Sequence, residues 1–186
     1  EAAAKIDPEN TLLWRMNRKR LDGEAIRDAI LFASGTLNPK MGGVGVQPEL
    51  PSEIKPSGWT VTPSESERNR RSVYVYVKRN LRYPIFTAFD APDRNETCSA
   101  RFVTTTAPQA LMLLNDALIL KQAGLFAGRV KGEASNQSER VIEKAFELSL
   151  GRQPGSEERV LLRKFLGDAT VDDLCHSLFN LNEFIY

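Results

Sequence analysis

Apolar residues recur at helical spacing along most of this chain, and this pattern predicts a mainly α protein. The first clear stripe follows Asp22 and consists of Ile26, Ala29, Ile30 and Ala33. Positions three and four apart lie on one face of a helix, so the stripe indicates an amphipathic helix with one buried side. Ser34 and Gly35 then end it, because glycine readily adopts the left-handed conformation that closes a helix.

Helical patterns also dominate the sequence from residue 106 onward. Thr106 and Gln109 have the spacing of a capping box, in which each side chain bonds the backbone N–H of the other. Asn115 and Asp116 are expected to break or kink the helix that follows, since their side chains compete for backbone hydrogen bonds. Beyond this break a second apolar stripe comprises Ile119, Ala123, Phe126 and Val130.

Three further helices are predicted toward the C-terminus. Ser138 and Ser156 are each expected to cap a helix, and Gly151 closes the first of the two. Thr170 and Asp173 form a second capping box. The apolar stripe that follows this box predicts one buried helix and consists of Leu174, Leu178, Leu181 and Ile185.

One segment departs from the helical pattern. Residues 73–77 (VYVYV) are β-branched and aromatic, a composition typical of strands. Residues 59–62 (WTVT) are the expected pairing partner across a polar connection, which predicts a small β-hairpin or ribbon. A helix through residues 72–81 stays an alternative, because short apolar runs fit either structure.

A composition shift marks a long loop between residues 39 and 63. This stretch holds five of the ten prolines and four of the twelve glycines, so it cannot sustain a helix and is predicted to be a loop, lid or flap. The expected fold is therefore mainly α: an irregular helical bundle with a small β-hairpin or ribbon and a long Pro/Gly-rich loop. We expect one domain over residues 1–186, with a loop-rich insertion at 38–66 and a helical core at 106–186.

Bulk composition excludes several classes of function. The chain has 186 residues, 25 basic and 24 acidic, giving a net charge of +1, so there is no electrostatic case for nucleic-acid binding. The cluster formed by Arg15, Arg18, Lys19 and Arg20 is interpreted as a solvated segment that leads into the first helix. No run of 18 apolar residues occurs, which predicts no membrane span.

The opening residues and the two cysteines bear on whether the chain is part of a larger protein and whether it contains a disulfide. The chain opens with EAAAK, a helical fragment without a start signal, which suggests a C-terminal fragment of a larger protein. Cys98 and Cys175 would form one disulfide in an oxidising compartment, and two separate thiols are the alternative.

Acidic residues cluster in the string FDAPDRNET. Asp90, Asp93 and Glu96 have two interpretations. Closely placed carboxylates suit glycoside hydrolysis or calcium binding. Asp-Ala-Pro-Asp is also a good turn sequence, because aspartate side chains bond the backbone N–H groups that follow, and this is the favoured interpretation.

The same region is basic and aromatic. Its cations are Arg70, Arg71, Lys78, Arg79, Arg82, Arg94 and Arg101, interleaved with Tyr74, Tyr76 and Tyr83. Arginine and tyrosine together bind anions or carbohydrate by bidentate hydrogen bonds and stacking. Internal Arg–Asp scaffolding is the alternative and the favoured use. If the region binds a ligand, the candidate binding residues are Tyr74, Tyr76, Arg82, Asp90, Asp93 and Arg101.

Catalytic and metal signatures are weak. His176 is the only histidine, with Asp172 and Asn180 one turn away on either side, and we interpret the three as the solvated face of a helix. No metal site and no catalytic residue is predicted. A thiol nucleophile needs a histidine, so Cys98 with His176 is the one conceivable pairing.

Five strings together carry a family resemblance: DPENTLLWRMNRKRLDGEAIRDAIL, NRRSVYVYVKRN, TAFDAPDRNETCSARFVTTTAPQALMLLND, LSLGRQPGSEE and LCHSLFNLNEFIY. They resemble the C-terminal domain of unknown function of large planctomycete-type proteins, in which a cytochrome-c-like haem domain and another uncharacterised domain come first. The resemblance covers the chain from Asp7 to Tyr186.

The resemblance implies where the parent protein is located and which other domains it contains. Such parent proteins are exported, so an extracytoplasmic (periplasmic or cell-surface) location is expected, and haem belongs to the N-terminal part of the parent. This chain lacks the Cys-x-x-Cys-His signature, so no cofactor is expected in it. Two functions are carried forward. The first is a non-catalytic helical module that docks on upstream domains or a partner. The second is a carbohydrate- or anion-binding module linked to polysaccharide breakdown.

Overall fold

The computed structural model describes residues 2–54, 57–93, 95–135 and 137–186, and this part of the chain is mainly helical, as predicted. Its ten α-helices are α1 (Ala2–Ile6), α2 (Gly23–Ala33), α3 (Glu65–Arg68), α4 (Pro84–Ala88), α5 (Ala107–Asn115), α6 (Ala117–Glu133), α7 (Ser138–Leu150), α8 (Ser156–Asp168), α9 (Val171–Phe179) and α10 (Asn182–Ile185). A 3₁₀ turn spans Ser72–Tyr74.

The core is built around α6, which packs most extensively along α9. Phe126 of α6 stacks on Phe179 of α9 with ring centroids 5.4 Å apart, and Phe184 of α10 follows at 5.1 Å. Helix α2 contacts α4, α6 and α7, while α8 contacts α7 and α9. The helices therefore form an irregular bundle with α6 at its centre.

The predicted break between α5 and α6 is confirmed. Asp116 ends α5, and its Oδ1 accepts from the Leu118 N–H at 2.9 Å as the N-cap of α6. At the start of α5, Gln109 Oε1 accepts from the Thr106 N–H at 3.2 Å, one half of the predicted capping box. No single helix in the described ranges is long and apolar enough to cross a membrane; only the α5–α6 pair, bent by 53°, passes that test by length and composition.

The predicted last helix is divided in two. Its capping box is confirmed, since the Thr170 N–H and the Asp173 N–H each donate to the other residue's side chain at 2.9 and 3.1 Å. The helix ends at Phe179, however, and Leu181 is 39% exposed instead of buried. Phe179 and Phe184 fill the core in its place, because the break after Phe179 rotates the last turn.

The predicted β-hairpin is wrong. No strand occurs in the described residues, and Val75 and Val46 form an isolated parallel bridge. The Val46 N–H donates to the Tyr74 carbonyl at 2.8 Å, and the Tyr76 N–H donates to the Val46 carbonyl at 2.8 Å. Val46 of the Pro/Gly-rich loop thus occupies the position that residues 59–62 were expected to take. Thr62 bonds Gln47 of the same loop instead.

The loop is folded around a buried guanidinium. Arg70 is 1% exposed and donates to the carbonyl oxygens of Lys40, Gly42 and Val44. Gly42 has a φ of +75°, a conformation that glycine adopts at no steric cost, which lets the backbone turn around the arginine. The loop therefore has a fixed course through residues 40–46.

Candidate functional site

The structure divides the six predicted binding residues into two groups. Three of them line one groove of about 410 Å³: Tyr76, Arg82 and Arg101. The other three are not among the residues that line it: Tyr74, Asp90 and Asp93. Asp22 and the first turns of α2 also line this groove. Arg94, another cation of the predicted basic region, lies outside the described residues.

Arg101 is held by carboxylates at the start of α2. Its Nη1 lies 2.9 Å from Glu24 Oε2 and 3.1 Å from Asp22 Oδ2, and its Nη2 lies 3.0 Å from Glu24 Oε1. The hydrogen bonds to Glu24, and then the nearby negative charges, raise the pKa of Arg101. This bidentate geometry joins the segment before α5 to α2 and already matches the guanidinium charge.

Tyr76 and Arg82 have fewer contacts than Arg101. Tyr76 is 48% exposed, and its ring lies 6.3 Å from that of Trp59, tilted by 55°. Arg82 Nη1 donates to the carbonyl oxygen of Ala91 at 3.2 Å. The groove is therefore lined by a half-exposed aromatic ring and by a guanidinium that forms no ion pair within the described residues.

Asp90 lies where several segments meet. Its Oδ2 is 2.7 Å from Arg20 Nη2, and it accepts from the Thr104 N–H and hydroxyl at 2.9 Å each. Gln109 of α5 is 3.5 Å away. Asp90 also has a φ of 60°, which aspartate tolerates better than most residues because its short polar side chain bonds locally. These contacts give the carboxylate a structural use.

Arg20 is buried, so the interpretation of the whole basic cluster as solvated is wrong at this position. Its side chain is 2% exposed, and its guanidinium lies 5.2 Å from the Phe89 ring. Nε and Nη1 have no hydrogen-bond partner in the described part of the chain. The other cations of the cluster are exposed: Arg15, Arg18 and Lys19. Asp90 is the carboxylate within ion-pair distance of Arg20.

Asp93 and Tyr74 are engaged locally. Asp93 Oδ1 accepts from the Asn95 N–H and side-chain amide, both at 2.9 Å, which is the predicted turn. The backbone hydrogen bond is the main reason why the pKa of Asp93 is lowered. The Tyr74 ring lies 3.9 Å from the Arg70 guanidinium, and its hydroxyl accepts from the Gly42 N–H at 2.8 Å.

The predicted solvated face around His176 is wrong for two of its three residues. His176 Nε2 donates to the carbonyl oxygen of Leu113 at 3.0 Å, and the Asn180 side-chain amide approaches the same oxygen at 3.4 Å. Asp172 is exposed and pairs with Lys131 at 2.8 Å. His176 and Asn180 thus bind the last turn of α5 to α9.

The two cysteines are separate thiols. Cys98 is exposed and Cys175 is buried, and each is free. Burial raises the pKa of Cys175 to about 12, which keeps this thiol protonated and unreactive. Cys98 Sγ lies 3.0 Å from the Ala100 carbonyl oxygen. Over the described ranges, no group of three His, Cys, Asp or Glu residues is placed to hold a metal ion.

A second and larger cavity was not predicted. It measures about 690 Å³ and lies between the 48–53 part of the Pro/Gly-rich loop, the start of α4 and the α5–α6 junction. Arg27 and Tyr83 form part of its wall, and burial raises the pKa of the Tyr83 phenol. The segments that enclose it are far apart in sequence, so no local pattern marks this cavity.

Arg27 is the most buried charge at this cavity, with 1% of its surface exposed. It donates to the carbonyl oxygens of Arg68 and Arg70 at 2.7 and 3.0 Å, and to the Ser72 hydroxyl at 3.2 Å. Its Nε has no partner among the described residues. Burial lowers the pKa of Arg27, because a charged group is disfavoured away from water.

Residues 7–17 form an ordered loop that was not predicted from the sequence. Asp7 accepts from the backbone N–H groups of Thr11 and Leu12 at 3.0 and 2.8 Å, and its carbonyl oxygen accepts from the Trp14 indole at 2.8 Å. The Asn10 side chain donates to the Arg15 carbonyl at 2.8 Å. The spacing of Asp7 and Asn10 before polar residues was the available signal, since such side chains commonly organise turns.

This loop displays apolar side chains to solvent. The exposed fractions are 80% for Ile6, 77% for Leu12, 71% for Leu13 and 90% for Met16. The side chains that hold the loop are buried by contrast, with Asp7 and Asn10 at 7% and 3%. Clustered exposed apolar residues on an ordered backbone are typical of interaction sites. We call residues 6–16 the apolar loop.

Fold and contacts together define a mainly α module in which buried arginines connect irregular segments to a helical bundle. The chain belongs to the PSD1 family, because the family model described as "PSD1: Protein of unknown function (DUF1553)" matches residues 1–166. This confirms the predicted domain of unknown function. The planctomycete parent and its haem domain stay predictions. No curated protein and no solved structure matches the chain.

Proposed function

We propose that the chain is a non-catalytic helical module of a larger exported protein that carries haem in its N-terminal part, and that it docks on the upstream domains of that protein. The docking surface is the apolar loop. The parent, its haem domain and its extracytoplasmic location are proposed from the sequence resemblance. Upstream domains in the same polypeptide would meet the apolar loop at a high effective concentration, so modest affinity would suffice.

The observation that carries this proposal is the combination of order and exposure in the apolar loop. Its backbone is fixed by Asp7 and Asn10, yet Leu12 and Leu13 are more than 70% exposed. Burying apolar side chains that are already held in place avoids most of the ordering cost of binding. Exposed Arg15 lies within the apolar loop and exposed Arg18 follows it, so the surface that receives the loop is expected to be apolar with an acidic rim.

The test mixes this chain with the upstream part of its parent, produced as a separate polypeptide, and measures the dissociation constant by calorimetry. We expect the Leu12→Ser/Leu13→Ser variant to bind at least ~10-fold more weakly, because truncating an interface anchor costs more than about 1 kcal/mol. The melting temperature of this variant should match that of the unmodified chain, since both side chains are mostly exposed in the free protein.

Two further variants make the docking test specific. Val160→Ser/Leu161→Ser changes two apolar residues of α8 that are 67% and 66% exposed, and it should leave the affinity unchanged. Asp7→Ala keeps every apolar side chain but removes the carboxylate that orders the loop, so it should weaken binding too. Full affinity in the Leu12→Ser/Leu13→Ser variant, or no association at all, would contradict the docking function.

A second candidate is a carbohydrate- or anion-binding module linked to polysaccharide breakdown. The half-exposed Tyr76 ring beside Trp59 favours it, because aromatic faces stack on sugars. A ligand at 100 times its dissociation constant should add ~2.7 kcal/mol of stability. We expect a thermal-shift screen of oligosaccharides and anionic sugars to yield a hit that Tyr76→Ala abolishes and Tyr186→Ala, at a similarly exposed tyrosine, retains. A hit that survives Tyr76→Ala would place the ligand elsewhere.

A further inference from the structure

The larger cavity, of about 690 Å³, lies apart from the residues of the apolar loop and plays no part in the docking function. Its volume is in the range of small-molecule sites. Much of its wall is apolar, including Leu50, Ile85, Met112 and Leu118. Such a wall accommodates the apolar body of a ligand and leaves recognition to the few polar groups present.

Most of the charge around this cavity is already matched. Arg68 lies 3.0 Å from Glu49, and Lys121 lies 2.6 Å from Glu65. Asp116 caps α6. These groups have partners within the protein, so they create no demand for an ionic ligand.

Among the three cations that line the cavity (Arg27, Arg68 and Lys121), Arg27 is the one without a close counter-ion in the described part of the chain. Its nearest carboxylate is that of Asp28, at 3.8 Å, and Asp28 Oδ1 already accepts from the Ser72 N–H at 2.7 Å. The guanidinium is almost fully buried, with its Nε unpartnered among the described residues. A buried charge with only a distant counter-ion is stabilised when an opposite charge comes close.

Two neighbouring side chains add hydrogen-bonding groups to the same wall. Gln122 Oε1 accepts from the hydroxyls of Ser34 and Thr36 at 2.7 and 2.8 Å, so the amide Nε2 is the group left to donate to a ligand. The Tyr83 phenol is the other donor, and its ring lies 5.9 Å from the Arg27 guanidinium.

We propose that this cavity binds a small organic monocarboxylate. Its carboxylate faces Arg27, Tyr83 and Gln122, and its apolar body lies against Met112 and Leu118. A single negative charge matches Arg27, the described cation on this wall whose nearest carboxylate is 3.8 Å away. A phosphate dianion is disfavoured, because Glu49, Glu53, Glu65 and Asp116 line the same cavity and would repel a second charge.

The test titrates the ¹⁵N-labelled chain with benzoate, benzamide and inorganic phosphate and follows amide resonances by NMR. Benzoate is expected to give saturable shifts around Arg27, Tyr83 and Gln122, with a dissociation constant on the order of 1 mM for so small a ligand. Benzamide has the same shape without the charge. Benzamide and phosphate should each bind at least ~10-fold more weakly.

A matched pair of variants locates the binding. Ala117 is exposed at the cavity mouth, so Ala117→Phe fills the cavity and should weaken benzoate binding at least ~10-fold. Ala110→Phe makes the same change at an exposed position of α5 outside the cavity and should leave binding intact. The proposal is overturned if benzamide binds as tightly as benzoate, if Ala117→Phe has no effect, or if benzoate gives no saturable shift in the unmodified chain.

Discussion

Replacing Asp90 by alanine is expected to lower the free energy of unfolding by about 3 kcal/mol, because it leaves the buried Arg20 guanidinium without its counter-ion. Arg20 is 2% exposed, and two of its nitrogens already lack partners among the described residues. The substitution also removes both hydrogen bonds from Thr104 and places alanine at a φ of 60°. Urea denaturation followed by circular dichroism measures the loss.

Asp93→Ala is the matched control for this prediction. Asp93 is an exposed aspartate three residues away that bonds only its neighbour Asn95 among its described contacts, so its loss should change stability by no more than about 0.5 kcal/mol. A second variant, Arg20→Met combined with Asp90→Ala, should recover part of the loss, because no unpaired charge stays buried. Equal midpoints for Asp90→Ala and Asp93→Ala would show that Asp90 does not stabilise Arg20.

Phe126→Ala is expected to destabilise the protein by about 3–5 kcal/mol, the usual cost of removing a large aromatic side chain from a close-packed core. Phe126 is completely buried at the centre of α6 and stacks on Phe179 of α9 at the most extensive helix contact. For a chain of this length the melting temperature should fall by roughly 10 °C or more. Thermal unfolding and urea denaturation both measure the change.

The adjacent residue supplies the control. Leu125 is 41% exposed on the same helix, so Leu125→Ala should cost less than about 1 kcal/mol. Phe126→Leu keeps an apolar group in the site and should fall between the two. If Phe126→Ala and Leu125→Ala unfolded at the same urea concentration, α6 would not be packed on α9 through Phe126.

The helices could be predicted from the sequence because the determining signals are local. The stripe of α2, the Asp116 break and the Thr170 capping box each lie within a few residues of the structure they produce. The prediction of a β-hairpin was wrong because strand pairing depends on residues far apart in the sequence. Val75 bonds none of residues 59–62, the expected partner, and instead lies beside Val46 of a loop that has no alternating pattern.

Less of the candidate site than of the fold could be predicted from the sequence. Arginine is usually exposed, so no rule marks Arg20, Arg27 and Arg70 as buried before their partners are known. Arg101 lines a groove, but its partner Glu24 lies 77 residues away in sequence, so the ion pair between them could not be predicted from the sequence. Leu12 and Leu13 are exposed although leucine is usually buried, and no periodic pattern in the sequence predicts their exposure.

Arg27 has a consequence for how the molecule opens. From α2 it bonds the carbonyl oxygens of Arg68 and Arg70, and Arg70 in turn bonds the backbone at residues 40–44. The irregular third of the chain is thus fastened to a core helix instead of to a sheet of its own. Opening of residues 68–72 alone would leave the buried Arg27 guanidinium without its carbonyl partners. We therefore expect this region and α2 to open as one cooperative unit, so that the amides of residues 68–72 exchange hydrogen with solvent as slowly as those of α2.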